Sequence, residues 1–184
     1  MYHTLEINMN TSAPLLTGTR WLIYAIMGLI GVIAVIIMLT IPLAAFGWDE
    51  IVAELVKNDP KVRTDGLLPI VVIFAAAALA GMAAIFVMLR KLMEIIKTVG
   101  DGDPFVAANA ARLRLIGWVM IVIQVTGVPI TYYGNLMGEK FGSGGNGDGL
   151  SVSVNGILAI LLVFVLAGVF ERGAAMREEL EGTV

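Results

Sequence analysis

Four stretches of this chain run for the thickness of a bilayer without one charged side chain, and no other feature limits its fold so strongly. They are Trp21 to Phe46, Leu67 to Leu89, Leu115 to Tyr133 and Leu150 to Phe170. About 20 apolar residues in a helix cross a hydrocarbon core of about 30 Å. Backbone N–H and C=O groups cannot go unpaired in lipid, so such runs are helices and not isolated strands. The expected fold class is all-α: a polytopic membrane protein forming one four-span domain over residues 1–184, with a tail over 171–184.

Composition agrees with this reading. With 58% hydrophobic and 15% charged residues, the chain is too apolar for an ordinary water-soluble domain. It has no cysteine, which removes disulfides, thiol catalysis and thiolate metal sites together. A net charge of −3 gives no electrostatic case for direct nucleic-acid binding. The first apolar run is far longer than a signal peptide's core of about 7–15 residues, so it is expected to stay as an uncleaved span.

Lys and Arg near span ends set orientation. Arg20, Arg90, Lys91, Lys97, Arg112, Arg114, Arg172 and Arg177 fall on one side of the bundle, against Lys57, Lys61, Arg63 and Lys140 on the other. Both termini and the central connection are therefore expected to face the cytoplasm. Trp21, Trp48, Trp118, Tyr132 and Tyr133 suit the interfaces.

Along the chain, the small residues of Ala75 to Ala84 suit close helix packing, within the bundle or between copies. The first outer connection places Ile51, Val52, Leu55 and Val56 on one helical face, predicting an amphipathic extracytoplasmic helix capped by Asp49 and ending at Asn58 and Asp59, before Pro60. The outer connection GEKFGSGGNGDG has no apolar period and reads as a loop. Asn146 and Asp148 supply too few carboxylates for a calcium site.

The detail is concentrated between the second and third spans. LRKLMEIIKTV continues the second span as an amphipathic extension, with Arg90, Glu94 and Lys97 along one face. Gly100 and Gly102 supply its stop, and Asp103 followed by Pro104 has the pattern of an N-cap and first helical position. A cytoplasmic helical hairpin is predicted. Asp101 and Asp103 also have a spacing that can hold a divalent ion, but no His, third carboxylate or phosphate cradle accompanies them, so the structural reading is preferred. No metal or cofactor is expected.

The tail, ERGAAMREELEGTV, places Glu171, Glu178, Glu179 and Glu181 with Arg172 and Arg177. Glutamates near a helix C-terminus oppose its dipole and face an anionic leaflet, so a basic surface should compensate. Arg112 and Arg114 are the nearest candidates, which predicts docking of the tail on the 102–114 hairpin. The competing readings are a solvated acidic helix end and, for the two arginines, simple headgroup anchors.

GDPFVAANAARLRLIGW and VFERGAAMREELEGTV together resemble the bacterial membrane proteins catalogued as domain of unknown function 2975. The marks are Asp103, Pro104, Phe105, Asn109, Ala110, Arg112 and Leu113, then Phe170, Arg172, Gly173, Leu180, Glu181 and Gly182. The resemblance covers most of the chain from the first span onward and implies a four-span bacterial protein, with its spans expected in the cytoplasmic (inner) membrane. It suggests a small helix-turn-helix regulator as partner and transfers no chemical role.

The spans hold no Asp, Glu, Lys, Arg, His or Cys, which argues against an enzyme and against proton-coupled transport. The leading expectation is a non-catalytic anchor, sensor or regulatory protein that binds a cytoplasmic partner through residues 90–114 and the tail. Asp103, Pro104, Phe105, Asn109, Arg112, Arg114, Arg172, Glu178, Glu179 and Glu181 are the candidate partner- or lipid-binding residues. Two alternatives stand beside it: a channel or carrier for an uncharged solute lined by Gln124, Thr126 and Thr131, and a structural homo-oligomer packed through Ala75 to Ala84. Membrane lipids are expected partners in every case.

Overall fold

The computed structural model describes residues 12–60, 64–141 and 153–181, and of residues 12–15 and 181 the backbone alone. Every regular element among them is an α-helix: α1 (Ser12–Phe46), α2 (Trp48–Asn58), α3 (Leu67–Gly100), α4 (Ala107–Lys140) and α5 (Val154–Glu181). Four of them, α1, α3, α4 and α5, are long and apolar enough to cross a membrane. The 150–170 span is represented from Val154 onward, and the Asn146–Asp148 loop lies outside the described residues.

The four long helices pack side by side in the order α1, α3, α4, α5. The centre is α4, with α3 on one side and α5 on the other, and α1 leans on the far side of α3. At one end α3, α4 and α5 converge on an apolar cluster of Ile95, Leu113, Ile116 and Ala167, with Met88, Met120, Val163 and Phe170 against it. On α1 a covered seam runs through Leu16, Arg20, Ile23, Met27, Ile30, Ala34, Ile37, Ile41 and Ala44, alternating by four and three residues, with Ile23 buried. That period of about 3.5 is the seam of two helices crossing at a shallow angle. The other faces of α1 are apolar and exposed, from Trp21 to Phe46, as suits a helix bathed in lipid.

The small-residue stretch of α3 packs inside the chain in part, and Ala76, Ala80 and Ala83 stay exposed. Ala75 and Gly81 are buried, Gly81 beside the Thr126 hydroxyl of α4, while Ala83 and Leu79 face the groove shared with α1. Pairs along α3 and α4 keep one antiparallel register, with Thr98 on Asn109, Glu94 on Arg112, and Lys140 donating to the Asp65 carbonyl.

Two expected caps are corrected. The helix after Gly47 opens at Trp48 with no side-chain cap, so Asp49 lies in its first turn, where a carboxylate still suits the helix dipole. The end at Asn58 and Asp59 is as expected. Likewise α4 does not open at Asp103 and Pro104 but at Ala107, after an extended Val106. The reason lies in how α3 closes. Gly102 adopts φ +85°, its N–H bonds the Val99 carbonyl at 3.1 Å, and the Asp103 N–H bonds the Thr98 carbonyl at 3.0 Å. This paired closure is a Schellman motif. It draws Asp103 into the end of α3, and three more residues are needed to turn the chain into α4.

Candidate functional site

The structural detail gathers where α3 ends, α4 begins and α5 runs out past its span. The Asn109 side chain sits at the middle, fully buried among helices. Burying an amide is costly unless its groups are paired, and here they are. Its Nδ2 donates to the Thr98 hydroxyl at 2.7 Å and to the Pro104 carbonyl at 2.9 Å, and its Oδ1 accepts from Arg112 Nη1 at 2.7 Å. One side chain thus ties the last turn of α3, the connecting turn and the first turns of α4. Thr98 in turn donates to the Ile95 carbonyl.

From Arg112 the network continues outward. Its Nε donates to Glu94 at 3.0 Å, and Lys91 reaches the same carboxylate at 2.8 Å. The Lys91 hydrogen bond is the main reason that the Glu94 carboxyl is held below its ordinary range; partial burial pulls it upward, and Arg112 adds to the lowering.

The tail lies against this hairpin. Arg114 pairs with Glu171 at 2.8 Å, and Arg177 pairs with Asp103. Between these two pairs the Phe105 ring meets Phe170, centroids 5.4 Å apart, and covers Gly173 so closely that a Cβ there would stand 2.7 Å from the ring. Ala110 and Ala174 are buried beneath. Both ion pairs are substantially exposed, and such pairs contribute only about 0–1 kcal/mol each. The aromatic contact and the alanine packing hold the tail, and the charges set its register.

On the outer side, α4 and α5 leave two adjoining depressions of about 190 and 200 Å³ that share Ala107, Ala174 and Glu178. Their floor is alanine, including Ala111 and Ala175, and their rim carries Arg114 and Glu171 at one end and Asp103 and Arg177 at the other. No polar cradle or metal-binding group of three His, Cys, Asp or Glu accompanies them among the described residues.

The candidate residues therefore divide. Phe105, Arg114, Asp103 and Glu178 reach the surface of this groove, with Pro104 in the turn beside it. Arg172 and Glu179 are exposed on the tail, and the Glu181 side chain lies outside the described residues. Asn109 is internal, its side chain fully buried, and Arg112 is committed to Glu94 and Asn109 instead of the tail. The expected docking of the tail on both arginines is thus corrected to Arg114 alone, joined by the reverse pair Arg177 and Asp103. Sequence reading missed Thr98 and Glu94 as partners of the hairpin. The available signal was a lone amide in an alanine-rich helix start one helical turn before Arg112.

An all-helical bundle with four membrane-crossing helices, bearing a polar-locked hairpin and a docked tail at one end, defines the chain as a polytopic membrane protein. It belongs to the family described as protein of unknown function DUF2975, whose profile matches residues 55–184. The match begins near the end of α2, so it covers α3, α4 and α5 and leaves out the first span that the sequence resemblance had included. No curated protein and no solved structure matches the chain.

Replacing Asn109 by Ala strands the Pro104 carbonyl and part of Arg112's bonding capacity in a closed site. The expected loss is about 3 kcal/mol, read as a lower unfolding midpoint of the detergent-solubilised protein. The Glu94 network gives a pH dependence of definite sign. A carboxyl depressed in the folded state adds stability above its unfolded pKa, and that stability is lost as pH falls through the folded value. Titrating the purified protein from neutrality to about pH 3 should lower the unfolding midpoint more in the wild type than in Glu94→Gln, which has no carboxyl to protonate there.

Proposed function

We propose that this protein is a non-catalytic anchor of the bacterial inner membrane, both termini cytoplasmic, that captures a soluble cytoplasmic protein in the α4–α5 groove. The observation that carries the reading is the groove itself. Its alanine floor admits the close approach of a helix, and its two ends are ion pairs that an incoming charged residue can exchange with. Glu178 stands at the shared edge of both depressions with no ion pair among the described residues, which favours a partner helix bearing a basic residue. A small helix-turn-helix regulator is a partner of suitable form. The cytoplasmic placement is supported by the concentration of basic residues at this end of the bundle.

Two observations favour this reading over a channel. The Thr126 hydroxyl bonds the carbonyls of Val122 and Ile123, and the Thr131 hydroxyl bonds that of Gly127, so both are turned back onto their own helix. The cluster of Ile95, Leu113, Ile116 and Ala167 fills the space among α3, α4 and α5 at the hairpin end.

The test is a mild-detergent pull-down from native membranes with the full chain, Ala111→Trp and Glu178→Arg. A cytoplasmic protein retained by the wild type should fall about tenfold or more with each groove variant, as expected for loss of a central contact. Equal retention by all three, or recovery of lipid alone, contradicts the anchor.

A further inference from the structure

At the hairpin end α1 and α3 carry a basic feature of their own, away from the tail. Arg20 of α1 lies on the last turns of α3, where its Nη2 donates to the Ile96 carbonyl at 3.4 Å. It comes this close because Gly100 has no side chain: a Cβ there would stand 2.6 Å from Nη2. The Arg20 Nε is buried without a hydrogen-bond partner, and no carboxylate pairs with the guanidinium among the described residues. Arg90 and Lys97 are exposed on α3, and among the described residues they too have no carboxylate partner. Glu94, between them, is held by Lys91 and Arg112, and Asp101, one turn past Lys97, makes no ion pair with it. Three cations thus stand at the edge of two spans with their charge uncompensated by the described residues.

The face of α3 that bears Lys97, Glu94 and Arg90 continues inward through Val87, Ala83 and Leu79, at steps of three or four residues. These inner residues, with Gly31, Ala34 and Val35 of α1, line an open apolar groove of about 430 Å³. Gly31 leaves it wide, since a Cβ there would meet nothing within 4 Å. From Arg90 to Leu79 the helix rises about 16 Å, close to half of a hydrocarbon core of about 30 Å. One leaflet's acyl chain therefore matches the groove in length, with its headgroup among the cations. Between two spans the surrounding solvent is lipid, so the groove takes an acyl chain, and the basic rim decides which headgroup comes with it. Basic pockets between spans hold anionic headgroups, whereas a zwitterionic headgroup brings a cation of its own into a site that already has three. We propose that this groove holds one acyl chain of an anionic phospholipid whose phosphate lies on Arg90 and Lys97, with Arg20 beside them. The site is built on α1 and α3 and stands apart from the reading of the α4–α5 groove.

The probes are dioleoylphosphatidylglycerol and dioleoylphosphatidylcholine, which share their tails and differ in headgroup charge. The full chain, delipidated in mild detergent, receives equal amounts of both, and bound lipid is counted by native mass spectrometry. The site predicts one saturable phosphatidylglycerol per chain, favoured over phosphatidylcholine by about tenfold or more, as two or three basic side chains at a membrane surface supply. Replacing Arg90→Gln together with Lys97→Gln should bring the two lipids level. Both side chains are exposed and unpaired among the described residues, so the unfolding midpoint of the lipid-free protein should stay unchanged. Gly31→Phe, which fills the groove, should lower retention of both lipids. Equal retention of the two lipids by the wild type would mean that the rim selects nothing. A preference that survives loss of Arg90 and Lys97 would place the anionic lipid elsewhere on the chain, and a lipid-free dimer would mean that a second copy covers the groove. Each of these three results overturns the proposal.

Discussion

The buried amide of Asn109 is the constraint from which the hairpin end follows. Lipid tails are as apolar as leucine, so hydrophobic burial does little to choose one helix register over another inside a bilayer. Polar groups and small-residue contacts must choose it. With Thr98 on one helix, Pro104 in the turn and Arg112 on the other as its partners, Asn109 fits only one alignment of α3 and α4. The same alignment brings Gly81 to Thr126 and Asp65 to Lys140 much farther along the pair. Register set at one end is carried along two stiff helices to the other.

The tail depends on that hairpin in turn. Asp103 pairs with Arg177 only because the Schellman closure of α3 holds it back from α4, and Phe105 meets Phe170 and Gly173 from the turn that follows. Each tail contact is weak by itself, but together they align a helix that is continuous with the fourth span. The family match covers this whole assembly of α3, α4 and α5, whereas α1 lies outside it and leans on α3 alone among the long helices. The α4–α5 groove is built from the matched part.

The four spans were legible because absence of charge over a bilayer's width has one physical solution, and the amphipathic extension of α3 was legible from its period. The start of α4 was not. Asp-Pro is a sound local signal for a helix start, but the hydrogen bonds that finish α3 had already taken the Asp103 N–H, and local preference yielded to that closure. The charge count likewise said that Arg112 and Arg114 would find carboxylates without saying which. Arg112 is on the α3 side of α4, where Glu94 and Asn109 await it, and Arg114 is on the α5 side, beside Glu171. Gln124 read as a polar residue in a span, and only the packing of α5 shows that Gly156 makes room for it.

The most direct test of the account is amide hydrogen exchange of the tail, Glu171 through Leu180, in nanodiscs holding the full chain, wild type beside Asn109→Ala. If the tail is held by a hairpin that Asn109 locks, its amides exchange slowly in the wild type and markedly faster in the variant, while the middle of α5 is unchanged. A wild-type tail that exchanges at once like a frayed helix end, or a protected tail indifferent to the loss of Asn109, would contradict the dependence of the tail on the buried amide.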